Sequence, residues 1–213
     1  MEIDPLQIKR DSERRIIAAG GRTLDWLPII ERGQARTEKE LINRALIVNA
    51  LLNIHFKAPV DVIAAWISEH NLHADLSTWE RRILSKSDDD LTEQDSVKLY
   101  WYIEALWALM WAGGLIDDLL LDQPVGDHMV TLAPKLERNE GPEKFSERMR
   151  LRSYEELFRM LDLYFRANWY ARDGRLRGYA TGVFNLDIIM ERRRALEWLL
   201  NPASDWDNTN TGT

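Results

Sequence analysis

Apolar residues recur along this chain at spacings of three and four, and residues able to cap a helix stand just ahead of most runs. Thr37-Glu38-Lys39-Glu40 is a capping box, in which hydroxyl and carboxylate can each satisfy a backbone N–H of the first turn. Behind it Leu41, Ala45, Val48 and Leu52 fall on one helical face. Ser77-Thr78-Trp79-Glu80 and Ser153-Tyr154-Glu155-Glu156 repeat the pattern, and Thr92-Glu93-Gln94-Asp95 is a looser version. These starts predict helices to about Leu84, to Gly178 and to Gly113-Gly114, the glycines serving as C-caps. Pro59 suits the first turn of a helix over Val60–Glu69. An N-terminal helix from about Leu6 to Ala19 ends at Gly20-Gly21, and a last one from Phe184 to Leu200 stops before Pro202. Asp122–Gly141 reads as the longest loop, and Met129–Leu132 is the one weak strand candidate. The predicted fold class is all-α: a single compact domain over 1–213, with about seven helices around a central apolar helix at about 93–113. Residues 1–36 supply a helix and connector packing on the same core.

The central helix carries the first chemical question. From Leu99 to Ile116 only Glu104 is charged, so the segment reads as buried on every side. Its length nears that of a membrane span, but the carboxylate and the paired glycines argue against one. Tyr100, Trp107 and Trp111 lie one or two turns from Glu104 on the same face. A carboxylate among those rings must be protonated or meet a buried cation, because unpaired burial costs several kcal/mol.

The cations are concentrated downstream. The chain carries a net charge of −7, yet residues 143–200 sum to +3 and the remainder to −10. All eleven basic residues within 148–194 are Arg, the side chain suited to planar pairing with carboxylate or phosphate. Arg159, Asp162, Arg166, Trp169 and Asp173 recur along one side of a helix, with Arg172 beside them; Asp162 can reach Arg159 or Arg166. The triplet Arg192-Arg193-Arg194 points in three directions, so at least one guanidinium turns inwards, with Glu104 and Asp162 as candidate counter-ions. The candidate site, read as a pocket or a buried ion-pair network, is therefore Glu104, Asp162, Arg166, Arg172, Asp173, Arg192 and Asp207.

Asp207 enters through the tail. Asp205-x-Asp207-x-Thr209 superficially matches the start of a calcium loop, but Asn210 occupies the glycine position and no bidentate Glu follows. Asx-turn chemistry, with Trp206 anchored on the core, is the expected role. His70-x-x-His73 has ligand spacing but falls at a helix end, so no metal is expected there. With no cysteine there is no disulfide, thiolate zinc site or thiol nucleophile. Nine tryptophans require acceptors for their N–H groups, so polar atoms should enter the core. No phosphate-binding loop, nucleophile elbow, dinucleotide fingerprint or zinc-protease motif occurs, and no cofactor is expected. The acidic balance disfavours nucleic acid, and the N-terminus lacks a secretory pattern, so a cytoplasmic location is expected.

Several blocks in order give the chain a family resemblance. They are 36–46 (RTEKELINRAL), 104–111 (EALWALMW), 151–155 (LRSYE), 162–169 (DLYFRANW), 172–175 (RDGR), Glu191-Arg192 with 194–199 (RALEWL), and Trp206-Asp207, with Leu27-Pro28 upstream. On these the chain resembles the uncharacterised bacterial domain-of-unknown-function family 4272. That family tends to carry His where this chain has Asn168, and an aromatic or His near Arg194. The resemblance implies a stand-alone helical domain and brings no activity, substrate or cofactor. The leading functional expectation is a non-enzymatic binding or regulatory protein, of an immunity-like kind, with a protein partner. The alternative is an enzyme or binder of small anions whose pocket lies between the Glu104 and Arg166 helices, with Glu104 as acid or base and Arg166, Arg172 or Arg192 holding the anion.

Overall fold

The computed structural model describes residues 4–209, among which there are nine α-helices and no strand. They are α1 (Pro5–Ala18), α2 (Glu38–His55), α3 (Val60–Glu69), α4 (Thr78–Leu84), α5 (Glu93–Ala112), α6 (Met129–Leu132), α7 (Glu143–Arg148), α8 (Tyr154–Arg177) and α9 (Leu186–Leu200). Seven correspond to the elements expected from the sequence; α6 and α7 are additions. Each capping box closes as its residues dictate: Thr37, Ser77, Thr92 and Ser153 accept from the third amide of their helix, and Glu40, Glu80, Asp95 and Glu156 bond back. Asp4 and Asn185 cap α1 and α9 by the same chemistry. Gly178 ends α8 in the left-handed conformation that glycine adopts without steric penalty.

Met129–Leu132, the strand candidate, is a helical turn instead. Its four residues are too few for periodicity to separate the two states, and no neighbouring strand is there to pair with it. The segment 122–141 is correspondingly less irregular than a loop: it holds α6 and a 3-10 turn at Leu136–Arg138.

The helices pack in the spatial order α4–α3–α2–α5–α9–α8–α1, which puts α5 at the centre between α2 and α9. Leu41, Ala45, Val48 and Leu52 of α2 are all buried, as are all residues of α5 from Glu104 to Ala112. One continuous apolar cluster joins these helices. Two extended segments cross the surface. Residues 19–37 are pinned by Lys9 and Arg166, which donate to the carbonyls of Leu27 and Pro28, and by the Arg36 amide on the Leu199 carbonyl. Glycine is needed at Gly33, where a Cβ would stand 2.6 Å from the Leu200 carbonyl oxygen. Residues 113–128 lie over the Glu104 side of α5, held by Arg152 on the Ile116 carbonyl and by Arg192 on those of Leu120 and Gln123. Among the described residues no helix is long and apolar enough to cross a membrane.

Candidate functional site

Glu104 sits on the α5 face turned to α9, one of the few polar positions of the core. Its partner is Arg192, which is fully buried and bonds Glu104 Oε2 through Nε at 2.8 Å and Nη2 at 2.7 Å. The same guanidinium donates to the Leu120 and Gln123 carbonyls and to the Tyr164 hydroxyl, which leaves no donor nitrogen unused. Burial pushes the Glu104 carboxyl above its ordinary pKa; Arg192 and the Val125 N–H pull it back without cancelling the rise. Trp107 and Trp111 share this interior, but Tyr100 is 43% exposed and lies against His55.

Arg166 pairs with Asp162 through two bonds of 2.8 and 2.9 Å within α8, and donates to Pro28 beneath the 19–37 segment. Its Nη1 approaches Glu13 at 4.0 Å and makes no hydrogen bond among the described residues. Glu104 is thus paired with Arg192 of α9 and Asp162 with Arg166 of its own helix, so the two carboxylates take different guanidiniums. Neither Glu104 nor Arg192 lines any of five surface clefts among the described residues. Arg172 stacks over Trp169, and Asp173 accepts from Arg177 and the Tyr179 hydroxyl near the end of α8. The remaining arginines of the triplet pair within α9: Arg193 with Glu197 and Arg194 with Glu191.

A third buried pair had no forecast. Arg44 of α2 meets Glu80 of α4 with 2.8 Å contacts to both carboxylate oxygens, and the Tyr102 hydroxyl donates to Glu80 at 3.0 Å. Glu80 is fully buried, and burial together with its charge lifts the Tyr102 pKa well above the ordinary value. A signal was present: Arg44 interrupts the apolar run Leu41–Leu52, and Glu80 is the back-bonding residue of a capping box. Asp207 borders this centre, accepting from Ser77 Oγ at 2.7 Å and the Trp79 amide at 2.8 Å. Trp206 is anchored on the core, its indole N–H donating to the Tyr102 hydroxyl. Asn210, the glycine-position residue of the calcium comparison, lies outside the described residues. His70 packs its ring on Trp66 and His73 Nδ1 faces Arg81, so the two histidines are engaged separately.

The chemically unsatisfied surface lies elsewhere, on the N-terminal half of α5. Val97, Tyr100 and part of Trp101 face outwards and continue through His55 to Phe56, 61% exposed, at the α2–α3 turn. A cleft of about 530 Å³ opens beside them, with Ile54, Ala58, Leu91 and Leu99 as apolar lining and His55, Lys57, Asp88 and Glu93 among its polar lining. A flatter depression of about 490 Å³ adjoins it across Glu93, lined by Val97, Lys98, Trp101 and Glu191. Lys57 holds a left-handed φ of 74°, where glycine is the residue of lowest strain. The Lys98 ammonium lies 4.0 Å from the centre of the Trp79 ring, so its charge is occupied there. Asp88, Asp89 and Asp90 stand exposed at the acidic edge of this face.

An all-α protein with arginine–carboxylate pairs sealed between its helices is the class that fold and geometry define. The sequence profile of the family described as Domain of unknown function (DUF4272) matches residues 9–209, and the chain belongs to that family. No curated protein and no solved structure matches it.

Proposed function

We propose that this chain is a non-enzymatic protein-binding module of regulatory or immunity-like kind, and that it docks its partner on the Phe56–Val97–Tyr100–Trp101 face. The observation that carries the reading is the contrast between neighbouring groups. The Glu104 carboxylate is enclosed with its counter-ion, whereas Phe56, Val97 and Tyr100 remain open to solvent beside a partly exposed Trp101. Clustered exposed aromatics are characteristic of protein contact surfaces, where tryptophan and tyrosine supply much of the binding energy. Asp88, Asp89, Asp90 and Glu93 border the face, so a partner surface with an apolar centre and basic rim complements it.

Affinity capture from cells that make the protein, followed by calorimetry with the identified partner, tests this. Phe56→Ala and Trp101→Ala should each weaken binding by about 30-fold, roughly 2 kcal/mol. Binding should also weaken as salt rises, through screening of the acidic rim. Failure to capture any protein, or a partner indifferent to both substitutions, counts against the reading.

A further inference from the structure

The C-terminal end of α8 gathers exposed apolar side chains and arginines from three parts of the chain. Trp169, Arg172 and Leu176 succeed one another at spacings of three and four along one side of the helix. Leu176, in the last turn, is 81% exposed, the most of any large apolar side chain among the described residues. Trp26, from the 19–37 segment, is 61% exposed and meets Trp169 edge-on, with ring centres 5.3 Å apart. Gly21 lies so close to the Phe184 ring that a Cβ there would stand 3.0 Å from it. The next residue, Arg22, holds its guanidinium 4.5 Å from the centre of the Tyr179 ring. These contacts bring the end of α1, where Ile17 is exposed, and the α8–α9 turn, where Val183 is exposed, to the same end of the molecule.

Residues 14–26 and 169–187, which supply this end, hold six arginines against three aspartates, with no lysine or glutamate, in a chain of net charge −7. Arg175 with Asp187 and Arg177 with Asp173 are surface pairs whose guanidiniums remain 61% and 72% exposed, so pairing leaves them available to a second anion. The end is therefore basic and apolar at once. It is also without a groove: Trp26, Leu176 and Val183 line none of five surface clefts among the described residues. A protein partner is typically anchored by side chains seated in pockets, and a nucleic acid has phosphates for the arginines but no use for exposed leucine, isoleucine and valine. A bilayer with anionic headgroups takes both kinds of group. Apolar side chains enter the acyl boundary, tryptophan lies at headgroup level, and arginines meet the negative surface.

We propose that this end of the molecule docks on the surface of an anionic phospholipid bilayer, with Leu176 and Trp26 entering the interface and the arginines held at the headgroups. It shares no residue with the Phe56–Val97–Tyr100–Trp101 face, which stays free for a protein partner. The test is sedimentation of the full chain with vesicles of phosphatidylcholine alone and with vesicles about one third phosphatidylserine. The chain should bind the anionic vesicles only, and less as salt rises. Leu176→Ser should weaken binding about 10-fold. Arg175→Gln and Arg177→Gln should each weaken it about fivefold. All three side chains are exposed, so thermal unfolding of these variants should match the wild type. Equal binding to both vesicles, or binding to neither, overturns the proposal, as does binding that survives all three substitutions. Loss of binding in the arginine variants alone, with soluble polyglutamate competing, also overturns it and assigns the face to an acidic protein.

Discussion

The two halves of α5 belong to one helix and are both rich in aromatic residues, yet they meet different surroundings. From Glu104 to Ala112 the helix is enclosed by α2, α9 and the 113–128 segment, and its only charge is matched by Arg192. From Glu93 to Trp101 it is enclosed on one side only, and Val97 and Tyr100 are exposed. In the first half a polar group had to be satisfied internally, because water does not reach it. In the second, apolar groups have been left unsatisfied, although burying each large side chain is worth about 1.5–3 kcal/mol. The difference teaches that aromatic richness alone does not mark a core. What covers the helix decides whether the same residue types serve stability or remain available to a partner.

The largest expected effect breaks the enclosed half. Glu104→Ala leaves the Arg192 guanidinium buried with its charge uncompensated, and should cost about 3–5 kcal/mol. For a chain of this size that corresponds to a fall in Tm of roughly 6–20 °C in thermal unfolding. Combining Glu104→Leu with Arg192→Met should recover much of the loss, because the pair is replaced by apolar groups of similar length. A double variant no more stable than Glu104→Ala would show that the hydrogen bonds of Arg192 to Leu120, Gln123 and Tyr164 are what hold the 113–128 segment.

This chemistry was partly legible in the sequence, and the limits have physical causes. Helix starts were readable because a capping box is complete within four residues, as at Thr37–Glu40. The start of α7 left a weaker sign in Pro142-Glu143, since proline at the helix start and an acid in the first turn are local preferences too. That Glu104 would be protonated or meet a cation follows from the apolar run around it. The Arg192-Arg193-Arg194 triplet offers that cation, but that Arg192 is the one to meet Glu104, 88 residues away, depends on how α9 packs on α5, which no local pattern encodes. Asp162 takes Arg166 of its own helix instead. The open face is not legible locally, because Tyr100 and Trp101 belong to a run that reads as buried on every side.

The exposed half should be stabilised by its cap rather than its surroundings, and pH separates the two. Burial pushes the Asp95 carboxyl up, but Lys86, the Thr92 hydroxyl and the Thr92 amide outweigh it and hold the pKa down at about 2, against an ordinary 3.8. A folded-state pKa below the unfolded value favours the ionised form. Its contribution is therefore present above about pH 4 and is lost as pH falls towards 2. Asp95→Asn should cost about 1–2 kcal/mol at neutral pH. In denaturant titrations its difference from wild type should shrink below pH 4; a difference constant down to pH 2 would assign the loss to packing instead.

The smallest effect on stability should come from the residues that matter most to the comparison. Trp101→Ala and Val97→Ala remove apolar side chains that face solvent or lie partly exposed, so little buried contact is lost. Substitutions at such surfaces change stability by about 0.5 kcal/mol or less, a shift in Tm of no more than about 2 °C. Val97→Lys, which places a charge in the middle of the face, should be equally harmless to the fold while opposing an apolar contact and a basic rim. If instead these variants unfold several degrees lower, the N-terminal half of α5 is structural in the same sense as the C-terminal half. The exposed face would then owe its aromatics to the fold and not to a partner. Stability unchanged and partner binding lost would separate the two halves by what each residue is for.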